Sequence, residues 1–448
     1  MNNETDQNSL SETTTRDLDY AQAQLAYSII ENLIEHTRIV SDLIALMAQV
    51  LDEDTTKALT QTPTWTAYLE ASEGLEAYVR NDFEAAAARS QRAFALDSTF
   101  AAPLVIASIS LSNLGRFGAA DSVLDILERH RARLSPHQQR WFEYRRALMA
   151  GRHEAALAAV REVAREEPAS KAVYNHALQA LQTGHLDEAL AALQSLPPRG
   201  GPMLGWVSYW DLLGTIHHLR GEHEAELEAG REAQTANPTR KLATLPSLRG
   251  FAALGRLAEV DSLLAAANRL PRDAAVSEGD LLREAAQELA AHGHPDAAAR
   301  YWERSLLASP PGGPGDPAEA LLRAATLYAL ERLVEASRPL DSLLGSVASP
   351  PPDAIGLRGV LAARQNDLAR ARVLGRRLAV IPPRYNFGIP TVWRARIAAA
   401  LGQRDSAVTL LRQAFAEGRE YDLWLHRDQD LAPLRDYPPF LELTRPKR

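Results

Sequence analysis

The histidines of HHLRGEH, at His217, His218 and His223, and those of HGH, at His292 and His294, are the side chains whose type and spacing most invite chemistry. Imidazole nitrogens hold zinc when three or four ligands converge and a further layer of partners fixes their orientation. The chain has no cysteine, so no thiolate can complete such a set. His217 falls at a packing position and His223 in a turn, so the sequence predicts packed and solvated histidines, with no metal and no cofactor. HEAAL, starting at His153, lacks the second His of a zinc-binding H-E-x-x-H helix. A serine elbow of the form G-x-S-x-G is absent. So are G-x-x-x-x-G-K-S/T and any G-x-G-x-x-G after a strand, which leaves nucleotide phosphates without a cradle. PGGPG near Pro311 has neither a flanking strand nor a lysine and reads as a linker. Paired carboxylates could do general acid/base work. Most acidic residues, however, fall at exposed places in second helices, Glu222, Glu224, Glu226 and Glu228 among them, and a solvated face accounts for these. No catalytic residue is expected, and the chain does not read as an enzyme.

The elements that must position any functional side chain are helices. At 448 residues the chain exceeds one compact core, so several domains or a repeat array are expected. Ala, Leu, Arg and Glu dominate and β-branched runs are scarce, which favours helix. The net charge of −8 gives no electrostatic footprint for phosphate backbones or anionic lipid, so neither nucleic acid nor membrane is an expected partner. The opening MNNETDQNSLSETTTRD has no cationic segment followed by an apolar run. The most apolar early segment, Leu25 to Leu51, contains Glu31, Glu35, Arg38 and Asp42, which a bilayer would not accept. A cytoplasmic protein is the expectation.

One short pattern recurs ten times: RNDFEAA at Asn81, LGRFGAA at Gly115, AGRHEAA at Gly151, TGHLDEA at Gly184, RGEHEAE at Gly221, LGRLAEV at Gly255, HGHPDAA at Gly293, LERLVEA at Glu331, QNDLARA at Asn366 and LGQRDSA at Gly402. These anchors lie 33 to 38 residues apart. Seven are Gly and two Asn, the residues that most cheaply adopt the left-handed conformation that ends helices. Five positions on, eight copies carry Ala, with Val260 and Glu226 as exceptions, so a second helix can lie close against the first. Each copy therefore reads as a helical hairpin.

The stretch WDLLGTIHHLRGEHEAELEAGREAQTANP, Trp210 to Pro238, ties this array to a known family. Trp210, Leu213 and Gly214 match W-x-x-L-G, His217 stands where a Tyr is usual, and Pro238 is the closing proline. The array resembles the tetratricopeptide repeat (TPR) superfamily. The resemblance implies an all-α fold, a right-handed helical-hairpin solenoid of about ten repeats with N- and C-terminal caps. Gly74 and Gly359 take the Gly214 place in their own repeats, and Pro168 the Pro238 place. The tail YDLWLHRDQDLAPLRDYPPFLELTRP resembles the end of repeat arrays in multidomain bacterial regulators, without their effector domain, and implies a signalling context.

The expected organisation is a disordered tail over 1–16, an N-terminal helical cap over 17–61, the repeat array over 62–418 and a C-terminal capping segment over 419–448 anchored by Trp424, Leu434, Tyr437 and Phe440. An apolar stripe over residues 26–50 suits packing on the first repeat or a homodimer contact. Pro/Gly clusters starting at Pro197, Ser309 and Ser349 fall between repeats, as loops or hinges. Stacked hairpins line a concave groove with their first helices. Its expected partner-binding residues are Trp141, Arg145, Lys171, Tyr174, Asn175, Asp211, Thr215, His218, Arg249 and Arg283, with Gln138, Leu178, Gln287 and Arg396 at equivalent places. Aromatic, Arg and Asn side chains suit a peptide or helix of a partner protein. Alternatives are a module that senses a ligand or peptide and controls a separate effector, and an enzyme in the groove. Lys171 and Asn175 give only part of the carboxylate clamp by which chaperone-binding relatives hold an acidic C-terminus.

Overall fold

The computed structural model describes residues 63–447 apart from Asn81, 274–275 and 309–316. The tail over 1–16, the cap over 17–61 with its 26–50 stripe, and most of the linker after Ser309 lie outside the described residues. Among the described residues, ten helical hairpins follow in order. They pair α1 (Trp65–Val79) with α2 (Phe83–Leu96), α3 (Pro103–Asn113) with α4 (Phe117–Arg129), α5 (Pro136–Met149) with α6 (His153–Glu166), α7 (Lys171–Gln182) with α8 (Leu186–Gln194), and α9 (Val207–Leu219) with α10 (His223–Ala236). Next come α11 (Leu245–Ala253) with α12 (Leu257–Asn268), α13 (Glu278–Ala291) with α14 (Pro295–Ala308), α15 (Pro317–Ala329) with α16 (Leu333–Ser346), α17 (Pro352–Arg364) with α18 (Leu368–Ala379), and α19 (Ile389–Ala400) with α20 (Arg404–Ala416). A short α21 (Trp424–Arg427), a 3-10 turn (Gln429–Leu434) and α22 (Pro438–Thr444) come after them. No strand occurs among the described residues, and none of their helices is long and apolar enough to cross a membrane.

Local chemistry sets these elements. All nine described anchors are left-handed, with φ from 59° at Glu331 to 85° at Gly293, so each stops its helix where the sequence places the stop. The eight repeated alanines are buried, none above 2% exposure, and let the paired helices approach. Ser135 and Ser277 close capping boxes with Gln138 and Asp280 at the starts of α5 and α13. A Cβ on Gly214 would stand 2.7 Å from the Cβ of Pro246, so only glycine lets α9 lie against the next hairpin there.

The apolar interior is a succession of clusters and not one globule. Leu157, Val160, Val173 and Ile216 join the third to fifth hairpins, Leu248, Leu264 and Leu289 the sixth and seventh, and Leu340, Val360 and Leu378 the eighth and ninth. The first helix of a hairpin is packed on both flanks, so that every residue from Ala354 to Ala363 in α17 is buried. This is the TPR-like solenoid architecture.

The array does not stay open. The loop between α18 and α19 reaches the second hairpin, where Tyr385 and Phe387 pack on Phe117 with ring centroids 6.5 and 5.1 Å away. The Asp121 carboxylate there accepts from the Tyr385 hydroxyl (2.8 Å) and from Arg146 (2.9 Å), and pairs with Arg384. The end of α20 meets the third hairpin: His153 Nε2 donates to the Gly418 carbonyl at 2.8 Å, and Gly151 and Gly418 touch backbone to backbone. In the fourth hairpin, the carbonyls of Gln182 and Gly184 accept from the backbone N–H groups of Tyr421 (2.9 Å) and Lys447 (2.8 Å). The C-terminal segment thus covers the tenth hairpin, through Leu434 and Phe440, and also enters the ring, because ten hairpins turn far enough to bring the last beside the second to fourth.

Candidate functional site: the polar interior of the ring

The inner faces follow helical spacing. Asp211, Thr215 and His218 share a face of α9, and Glu284, Glu288 and His292 a face of α13. From the opposite side α21 presents His426 and Arg427. Glu226 enters from α10 at the place where eight repeats carry the buried Ala, and it is fully buried. The expectation that Glu226 belongs to a solvated face is therefore corrected: its helix offers that position to the interior, and cations and imidazoles meet the charge there.

Buried charges form a closed cycle. Arg249 reaches Asp211 (2.8 Å), Glu226 (3.3 Å) and Glu284 (3.5 Å). Glu226 Oε2 accepts from His218 Nδ1 at 2.8 Å and lies 3.4 Å from His223 Nδ1. Arg427 donates to Glu284 at 2.7 and 3.2 Å and pairs with Glu288 Oε1. The other oxygen of that carboxylate, Glu288 Oε2, lies 3.1 Å from His218 Nε2, 3.3 Å from His426 Nε2 and 3.5 Å from His292 Nε2. His218 Nε2 is in turn 3.2 Å from His426 Nε2 and 3.3 Å from His292 Nε2. One carboxylate oxygen and three imidazole nitrogens thus converge on a common point.

The electrostatics follow from burial and partners. Burial alone would raise the Glu288 carboxyl, but the Arg427 guanidinium and the three imidazoles hold it well below the usual carboxylate range. Burial would lower His218, but Glu226 and Glu288 outweigh it and push it up to about 9. Nearer the ring's other wall, burial and then the neighbouring Asp428 push Asp430 up to about 6, against Arg396 and the Tyr328 hydroxyl.

The sequence-predicted groove residues divide. Asp211, His218 and Arg249 belong to the cycle, Thr215 is buried on the same helix, and Arg396 faces the interior through Asp428 at 2.6 Å. Lys171 and Tyr174 serve contacts between hairpins: the Lys171 ammonium stands 4.3 Å over the Trp206 ring, and the Tyr174 ring lies 4.4 Å from it. Trp141 is half-buried, donates to His137 Nε2 at 3.1 Å and meets Tyr144 edge-on. Asn175 is half-buried. Arg283 pairs with Asp280 on its own helix and reaches Ser305 of α14, away from the cycle. Glu284, Glu288, His292, His426 and Arg427 were not among the groove residues read from the sequence. Glu226 carried a signal as the charged exception in a column of alanines, and His292 as part of HGH.

Arg145 stands apart. It is buried on α5, its Nη2 donates to Ser112 Oγ at 2.7 Å, and its Nε has no partner. No carboxylate among the described residues pairs with it, and burial pushes its guanidinium down, opposed only by the Tyr144 and Tyr78 hydroxyls. Beyond the end of α5 a cavity of about 500 Å³ opens where the ring closes, lined by Gly151, His153, Gln182, Phe415, Arg419, Tyr421, Leu443 and Lys447. There Arg419 Nε is likewise without a hydrogen-bond partner.

No protein-family model and no curated protein matches the sequence. Among solved structures, the apo form of the quorum sensor NprR from B. thuringiensis is similar at 14% identity, covering 78% of this chain and 98% of that chain with a TM-score of 0.41. A tetratricopeptide repeat protein from Parabacteroides merdae covers 62% of this chain and 98% of its own at 14% identity and a TM-score of 0.37. Yeast Tom70 covers 86% and 89% at 12% identity and 0.35. The TPR-like class follows from the hairpins and their turns, independently of these overlaps.

Proposed function

We propose that this protein is a non-catalytic helical-repeat scaffold that binds a peptide segment of a partner protein on the inner side of its third and fourth hairpins, in cytoplasmic bacterial signalling or complex assembly. The observation that carries the reading is Arg145, a buried guanidinium with an unused donor and no carboxylate partner among the described residues. Such a group is costly unless a ligand supplies the anion. Trp141, half-buried one turn before it on the same helix, is the amphipathic aromatic type that anchors peptides, and a rigid array lowers the ordering cost of binding. Glu226, Glu284 and Glu288 already have a cation in Arg249 or Arg427, and Asp428 has Arg396, which suits structure better than acid/base turnover. The resemblance of the tail to regulator arrays supports the signalling context. One observation favours a sensing role: an occupant of the 500 Å³ cavity would touch both ends of the ring.

Selection of displayed random peptides on the full chain tests this. Binders should carry an acidic side chain or a free carboxylate, and Arg145→Gln should weaken them roughly ten- to a hundredfold by calorimetry. Equal affinity for wild type and variant would remove the assignment. Compaction in small-angle scattering on binding would favour sensing over plain scaffolding.

A further inference from the structure

We propose that His218, His292, His426 and Glu288 form a tetrahedral zinc site that fastens the C-terminal segment inside the ring. Zinc holds imidazole nitrogen and carboxylate oxygen at about 2.0–2.1 Å, so neighbouring ligand atoms of a tetrahedron stand about 3.3–3.4 Å apart. Five of the six ligand-to-ligand distances here fall between 3.1 and 3.5 Å, and the sixth is within 4.8 Å. Three ring nitrogens gathered on one carboxylate oxygen ask more of it than its two lone pairs supply, and two of them also stand 3.2 and 3.3 Å from His218 Nε2.

The surroundings match what a metal ligand requires. His218 keeps its Nδ1–H on Glu226 while the metal takes the place of the Nε2 proton, so the Nε2 lone pair meets the common point, and Arg249 holds Glu226 in turn. Arg427 takes the other oxygen of Glu288. Glu288 and His292 are four residues apart on one helix face. Charge points the same way. Within the cycle, Asp211, Glu226, Glu284 and Glu288 outnumber Arg249, Arg427 and the His218 imidazolium by one charge, and a divalent cation that displaces the His218 Nε2 proton supplies that one. His218 and Glu288 are fully enclosed, while His292 and His426 keep 25% and 30% side-chain exposure and give the ion a way in. Four protein ligands leave no open position, so the ion is structural: it joins the fifth hairpin, the seventh hairpin and α21.

The test uses the full chain, freed of metal by a chelator and then titrated with Co²⁺ and Zn²⁺. One equivalent of Co²⁺ should give the visible absorption of a tetrahedral site and be displaced by one equivalent of Zn²⁺. His426→Ala should lower affinity by about 100-fold or more, and Glu226→Gln, which spares every ligand, by about 10- to 100-fold. Metal removal should expose residues 419–447 to protease. A wild-type chain, folded by circular dichroism, that takes up neither ion better than His426→Ala overturns the site. A weak, octahedral-type Co²⁺ spectrum overturns the tetrahedral assignment. Should His426→Ala fail to fold, the wild-type cobalt titration and Glu226→Gln still decide. None of these readouts depends on a peptide ligand.

Discussion

Charged residues of this chain differ by whether their partners come from the same or the adjacent hairpin or from across the ring. Glu188 at the start of α8 is of the nearer kind: it accepts from Arg161 Nε and Nη2 at 2.6 Å each and lies 2.6 Å from His176 Nε2. The two bonds from Arg161, with help from His176 and against burial, lower its pKa from 4.5 to about 2. Between those values the unfolded chain binds more protons than the folded one, so stability rises with pH there. The contribution is complete above the unfolded value and is lost as pH falls toward 2. Glu188→Gln should therefore flatten the acid limb of the Tm profile between about pH 5 and 2. Thermal unfolding at stepped pH checks this, and an unchanged slope would contradict it. At this scale the sequence was partly legible. Glu226 stood out in its column, whereas His426 sits in a tail whose neighbours only folding supplies.

At the level of the helix and its turn, most was legible, because a left-handed stop, a cap and an apolar stripe are properties of a few adjacent residues. Glu331 is the anchor with the wrong residue type: it holds φ 59° without being Gly or Asn. Glu331→Gly should raise stability by about 1 kcal/mol by relieving that conformation. The exposed pair with Arg364 that it gives up contributes little. A urea midpoint at or below the wild-type value would refute this. The loop after α18 was not legible in the same way. Tyr385 and Phe387 hold φ of 64° and 43°, which bulky residues adopt only when surroundings impose it, and here the surroundings are the distant Phe117 and Asp121.

For the whole molecule, closure depends on backbones that meet at Gly151 and Gly418. A Cβ on Gly418 would stand 2.7 Å from the Gly151 Cα, so Gly418→Ala should loosen the seam. Gly221→Ala is the matched control: its φ of 72° is equally left-handed, but a Cβ there meets nothing within 4 Å. The expected result is a larger radius of gyration for Gly418→Ala at unchanged helix content, with Gly221→Ala keeping wild-type dimensions. Identical scattering from all three proteins would show that the seam does not hold the ring.

By itself the sequence determined the unit and its repetition: where each helix stops, which alanine lies between paired helices, and that ten such hairpins succeed one another. Tertiary structure alone decided that the array closes, and that His218 meets residues 74 and 208 positions away. The reason is accumulation. A small rotation between neighbouring hairpins, fixed by contacts such as Gly214 on Pro246, is summed from hairpin to hairpin along the array before the seam forms, and no local pattern encodes that sum.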